Sequence, residues 1–226
     1  MKNGIKRNVT ISIMTICLLL LMLTGSTYAL FTSQDSVNMV VSSANVKVEA
    51  EITDFKTYSL DVKQGEVSGV GTATFELGGT ATLDTDGALN LTHVAPGDKV
   101  EFTLSILNTS NITILQRVRI LSTTTDQDAV KLLGGLNITI AGKAYGFNEQ
   151  GEFCNKVVDA AGTVTYTALD INSWASVNAM VNSNINVTVE LPKSAGNEYQ
   201  NLTWSLQVIV EAYQGNASEA DLKALV

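Results

Sequence analysis

From residue 46 onward, apolar and polar positions trade places one by one. Val46, Val48, Ala50 and Ile52 alternate with Lys47, Glu49 and Glu51. Val100, Phe102, Leu104 and Ile106 alternate with Glu101, Thr103 and Ser105, and Ile185, Val187 and Val189 with Asn186, Thr188 and Glu190. Near the end, Trp204, Leu206, Val208 and Val210 point one way, and Ser205, Gln207, Ile209 and Glu211 the other. A period of two belongs to strands with one core face and one wet face, as in antiparallel sheets. A parallel α/β chain carries continuous apolar runs and long helical crossovers, and neither occurs here.

Turn residues punctuate the strands at Gly78-Gly79, Asp86-Gly87, Pro96-Gly97-Asp98, Gly134-Gly135, Ala161-Gly162 and Ala195-Gly196-Asn197. Two short helices are expected. Asp126 can cap residues 127–133 with Gly134 as the stop, and Ser218 can cap residues 219–225. The stretch 173–182 fits neither period. These elements predict one all-β domain over residues 45–226, with roughly ten strands: a jelly-roll-like antiparallel β-sandwich with one or two short helices.

The first 29 residues follow a different rule. Lys2, Lys6 and Arg7 precede an apolar stretch from Ile11 to Leu23, followed by Gly25-Ser26-Thr27-Tyr28-Ala29. Basic start, apolar middle and small-residue exit are the layout of a secretory signal peptide. Cleavage is expected between Ala29 and Leu30, with Thr27 and Ala29 in the small-residue positions. The apolar part falls short of the roughly 20 residues that span a bilayer. The mature protein is therefore expected outside the cytoplasm, touching the membrane only while the signal segment is uncleaved.

The chain has 14 basic and 22 acidic residues, a formal charge of −8. Loss of the three leader cations leaves 11 against 22, or −11. Such a surface repels nucleic acid and anionic lipid, so neither is an expected partner. Cys17 lies in the leader, and Ile16 before it is a poor match to a lipidation site. Cys154 alone remains, so no internal disulfide can form and the fold depends on its core. Cys154 itself reads as a small buried hydrophobe.

No enzyme and no cofactor are expected. His93 is the single histidine, so a zinc site built on two or three histidines has no ligands. No Gly-x-Ser-x-Gly elbow accompanies it, and it reads as a strand-end surface residue. Gly69-Val70-Gly71 and Gly78-Gly79 lack the Gly-Lys-Ser/Thr of a phosphate loop. Asp84-Thr85-Asp86-Gly87 starts like a calcium loop but lacks the closing carboxylate, and reads as a hairpin turn. Asn-x-Ser/Thr recurs at Asn90, Asn108, Asn111, Asn137, Asn186, Asn201 and Asn216, and is read as inert solvent-face composition.

Three segments together resemble one family. Gly25-Ser26-Thr27-Tyr28-Ala29-Leu30-Phe31-Thr32-Ser33 looks like the G-x-x-A-x-F-[ST] signature of SipW-dependent signal peptides. Ala95-Pro96-Gly97-Asp98-Lys99-Val100, a strand, and then Asn108-Thr109-Ser110-Asn111 are similar to a segment of the TasA/camelysin family. The closing run from Trp204 to Gln214 resembles that family's last core strand, with its "EA-x-Q" ending. The resemblance implies a secreted jelly-roll protein of extracellular biofilm-matrix fibres, processed by a dedicated signal peptidase. Camelysin relatives are also described as metallopeptidases, but this sequence carries no recognisable ligand set for that activity.

Residues 30–44 suggest how such a protein assembles. Val37, Met39 and Val41 alternate with Ser36, Asn38 and Val40, and no turn signal folds the segment back onto Val46. With Phe31, these residues form a candidate donor strand that completes a neighbour's sheet through backbone hydrogen bonds. Such a contact repeats head to tail into a filament. The alternative is that the segment forms its own domain's first strand. The expected partners are copies of this chain or paralogous fibre subunits, and cell-wall or matrix polymers. The rival reading is an adhesin or carbohydrate-binding sandwich, with Tyr145, Phe147, Tyr166 and Trp174 as its candidate platform. A third is a secreted peptidase.

Overall fold

The computed structural model describes residues 33–36, 41–43, 46–199 and 202–216. The chain divides into units of residues 1–31 and 32–226. Thr27, Ala29, Leu30, Phe31, Val37, Met39 and the helix expected after Ser218 lie outside the described residues.

Among the described residues, sixteen strands follow in chain order: β1 (Ser33–Ser36), β2 (Val41–Ser43), β3 (Val46–Ser59), β4 (Val62–Ser68), β5 (Gly71–Thr74), β6 (Thr80–Leu83), β7 (Ala88–Thr92), β8 (Asp98–Asn108), β9 (Ile114–Ser122), β10 (Asn137–Ile140), β11 (Lys143–Phe147), β12 (Phe153–Val158), β13 (Val164–Thr167), β14 (Ala175–Val177), β15 (Asn182–Glu190) and β16 (Thr203–Gln214). One sheet runs β14-β9-β16-β7-β6-β5, with β1 also on β16. The other runs β13-β12-β11-β10-β15-β8-β3-β2, with β4 also on β3. The expected antiparallel sandwich is present, with more strands than the roughly ten predicted. The surplus comes from short Gly- and Thr-rich strands such as β5 and β6, whose small side chains give little periodic signal.

The alternation of the long strands sets the core. Val100, Phe102, Leu104 and Ile106 of β8 and Trp204, Leu206, Val208 and Val210 of β16 are all buried. In β3 the inward set begins as Val46, Val48, Ala50 and Ile52, then switches to Phe55, Thr57 and Ser59. The switch falls where the β3–β8 register shifts between Ile52 and Asp54. One extra residue in a bulge swaps every later side chain to the opposite face.

Two buried polar residues fix the ends of β8. Asp98 accepts from Ser59 Oγ at 2.6 Å and from Ala95 N at 2.8 Å, closing the Pro-Gly-Asp turn. Asn108 donates to Ile112 O at 2.9 Å and to Asn178 O at 3.0 Å, and its Oδ1 accepts from Ser110 N. Helix α1 (Gln127–Lys131) starts as expected, with Asp126 accepting from Asp128 N and Ala129 N. It is shorter than predicted, and the chain continues as a 3-10 turn over Leu133–Gly135. Buried Ala129 and Leu133 seat this element, and the Trp204 indole donates to Ala129 O at 2.9 Å.

Candidate strand-acceptor site

The last strand is longer than the neighbour on one of its sides. β9 accompanies β16 from Leu206 to Gln214. On the opposite side β7 pairs only with Thr203 to Gln207. The β6–β7 turn stops the ladder there: Gly87 N donates to Asp84 O, and Val208 N donates to Gly87 O at 2.9 Å. Beyond that point β1 takes over, with Ser33 opposite Ala212 and Ser36 opposite Ile209.

The other sheet repeats this division. β4 pairs with the second half of β3, from Asp54 to Ser59. β2 pairs with its beginning, and Val41 stands opposite Val48. Residues 33–36 and 41–43 thus each supply a short strand to an open backbone edge, one on each sheet. In a single chain they do so as the domain's own first strands.

Beside the β1 pairing, β9 and β16 bury charge on the face away from the core. Arg117 Nε donates to Glu211 Oε2, and Arg119 Nη1 lies 3.3 Å from Glu211 Oε1. The Arg117 guanidinium stacks 4.3 Å from the Trp174 ring centroid, and Trp174 meets Tyr213 edge-on at 4.9 Å. Arg117 and Glu211 are each only 1 % exposed at the side chain, so the expected wet face of β16 is dry at Glu211. Sequence reasoning missed this cluster; two arginines two residues apart on one strand face of an acidic chain were its signal.

The remaining candidate residues have ordinary places. His93 is exposed at the end of β7 with φ +51°. Asp84–Gly87 forms the expected hairpin turn. Cys154 is buried in β12, and burial with nearby Glu152 pushes its thiol up. Tyr145 and Phe147 are buried against Phe153, at centroid distances of 5.2 Å and 5.8 Å, so neither serves as a platform for a polymer. Burial also raises the Tyr145 phenol. Tyr166 is half-buried and donates to Gly134 O at 3.1 Å. Trp174 is committed to Arg117 and Tyr213. Among the described residues no group of three His, Cys, Asp or Glu could hold a metal ion.

On the wet face of β3, β8 and β15, a groove of about 330 Å³ is lined by Asp54, Lys56, Glu101, Thr103, Asn186 and Thr188. Thr103 Oγ1 donates to Asn186 Oδ1 at 3.1 Å. Lys56 bridges to Glu66 at 3.3 Å, and Lys99 to Glu101 at 2.8 Å.

No family model and no curated protein matches the chain. Among solved structures, a xylanase 10C from Cellvibrio japonicus in complex with xylopentaose is similar at 9 % identity and a TM-score of 0.24, over 79 % of this chain and 29 % of that one. The receptor-binding domain of botulinum neurotoxin type G is similar at 11 % identity and a TM-score of 0.22, over 75 % of this chain and 49 % of that one. The chain thus spans less than two thirds of either. Backbones this far apart do not define a common fold, and neither neighbour bears on function.

Proposed function

We propose that this chain is a secreted structural protein of extracellular biofilm-matrix fibres, either a subunit or an accessory joined to them, and that copies connect by N-terminal strand donation. One observation carries the reading: β1 and β2 cover backbone edges on both sheets that β7 and β4 leave open. The same segment offered by a neighbouring copy makes the same backbone bonds in trans. The contact is heterologous, so repetition extends a filament without closing a ring. The likeness of the leader exit, the Pro-Gly-Asp segment and the last strand to the TasA/camelysin family supports this reading. Function in this account resides in backbone pairing, with no reacting group. An uncleaved leader holds the donor segment at the membrane, so processing by a dedicated signal peptidase precedes assembly.

Deletion of residues 30–42 tests this. The expected product is folded by circular dichroism but forms no filaments in electron micrographs at concentrations where the parent does. Filaments of equal length and number from both proteins would remove the proposal.

The groove on β3, β8 and β15 favours a second reading, binding of a neutral wall or matrix polysaccharide. Its mixed acids, amides and hydroxyls suit sugar hydroxyls. Retention on purified cell-wall glycan that is lost in Asn186→Ala and Glu101→Ala supports it. Unchanged retention in both variants counts against it.

A further inference from the structure

The nine-stranded sheet ends at β13, a four-residue strand whose edge carries none of the chemical blocks that keep sheet edges apart. Residues 160–169 carry no charge, no proline and no bulge against β12. Other edges differ. β4 carries Lys63 and Glu66 in ion pairs, β14 has three residues, and the Thr74 carbonyl of β5 accepts from Thr57 Oγ1 at 2.7 Å. Exposed edges ordinarily carry lysine or proline as a block. Lys156 of β12 does not act so here. Its amine donates to Asn137 Oδ1, and burial holds it below the ordinary lysine range.

The hairpin presents that edge in a defined way. Asp159 Oδ1 accepts from Ala161 N and Thr163 N, Gly162 N donates to Asp159 O, and Gly162 has φ +83°. Asp159 N donates to Thr163 O at 3.0 Å, which makes those two residues a hydrogen-bonded pair. Antiparallel pairs alternate in type. Val158 opposite Val164 and Lys156 opposite Tyr166 are therefore the non-bonded pairs. The N–H and C=O of Val164 and Tyr166 turn away from β12 and make no bond among the described residues. Beside them, Val157, Val158 and Val164 are 53 %, 56 % and 43 % exposed.

We infer that two copies of this chain join edge to edge through β13, antiparallel about a two-fold axis at Thr165. The net charge of −8 opposes contact between copies over most of the surface, and the run between Asp159 and Asp170 is where two copies meet with no charge on the pairing strand itself. The backbone pattern is self-complementary. With Thr165 opposite its own copy, Val164 lies opposite the copy's Tyr166, and four outward N–H groups meet four outward C=O groups. The contact is isologous and closes as a pair, unlike strand donation, and does not depend on it. In a filament it ties neighbours sideways.

Cysteine pairing tests the register on the exported protein. Thr165→Cys is expected to give a disulfide-linked dimer under mild oxidation, because opposed non-bonded residues bring their Cβ atoms within disulfide reach. Thr163→Cys or Thr167→Cys alone is expected to link poorly, and a mixture of the two to link well. Val164→Pro removes an N–H that β12 does not use, so the hairpin stays. Loss of two of the four intermolecular bonds weakens the pair about 30-fold in sedimentation equilibrium. Thr165→Lys, folded by circular dichroism, is expected to sediment as a monomer. Equal linking at 163, 165 and 167, or dimerisation unaffected by Val164→Pro and Thr165→Lys, would overturn the inference. The N-terminal deletion leaves this readout intact, so the two proposals fail separately.

Discussion

Ser59 Oγ donates to Asp98 Oδ1 at 2.6 Å across two adjacent strands, and the same hydroxyl accepts from Glu76 N at 3.1 Å. The pair thus joins the β3–β4 end, the β5–β6 turn and the Pro-Gly-Asp turn at one end of the sandwich. Replacement of Asp98 by Ala leaves a buried hydroxyl and the Ala95 N–H without an acceptor. The expected loss is about 3 kcal/mol, against about 1 kcal/mol for Ser59→Ala, read from urea denaturation midpoints.

The same carboxyl shapes the response to acid. Burial raises its pKa above the ordinary aspartate value, against the opposing effect of the Ser59 and Ala95 hydrogen bonds. A raised folded-state pKa means that the protonated form is favoured by folding. Its contribution is full below the unfolded pKa, about 3.9, and declines as pH rises through the folded value. Asp98→Asn is therefore expected to flatten the stability profile just above pH 4. An unchanged slope in that window would exclude Asp98 as its source.

Glu211 is the ion partner of buried Arg117 and also of Arg119, which at 18 % exposure reaches water, so neutralising Glu211 leaves the Arg117 guanidinium buried without a counter-charge. Glu211→Gln is expected to cost about 3–5 kcal/mol by chemical denaturation, whereas Arg117→Met with Glu211→Leu is expected to recover most of the loss. A double variant no more stable than Glu211→Gln would mean that the charges themselves are needed.

Asp126 closes the first turn of α1 through two backbone N–H groups. Asp126→Ala is expected to cost about 1 kcal/mol. The Trp204 indole bond to Ala129 O provides a local check, because its fluorescence should change with the loosened helix.

Cys154 is buried, and its thiol is pushed above the ordinary cysteine range. A thiol reagent is expected to label it only at the rate of unfolding, and at once in 8 M urea. Fast labelling of native protein at neutral pH would place the thiol at the surface.

The long strands were legible because burial alternates along them: β8, β15 and β16 follow the written pattern almost residue for residue. The β3–β4 hairpin was not. Its turn residues, Leu60 and Asp61, adopt φ +51° and +69°, a conformation that sequence reading assigns to glycine or asparagine. Contacts remote in sequence hold them there: Leu60 N donates to Gly97 O at 3.0 Å, and Asp61 pairs with Lys193 at 2.6 Å. The bulge at Ile52/Asp54 was hidden for a related reason, since only the partner strand reveals a shift of register. At the acceptor site, the alternation of residues 36–41 was readable. The short reach of β7 that leaves space for β1 was not, because it depends on where a turn halts a ladder.

The sharing of β16 between β7 and β1 couples the two ends of the chain in time. Of the described strands β1 is made first and β16 last, so the early strand waits for its seat until nearly the whole domain has been synthesised. A strand that depends on so distant a partner is the one whose seat stays empty longest while the domain folds.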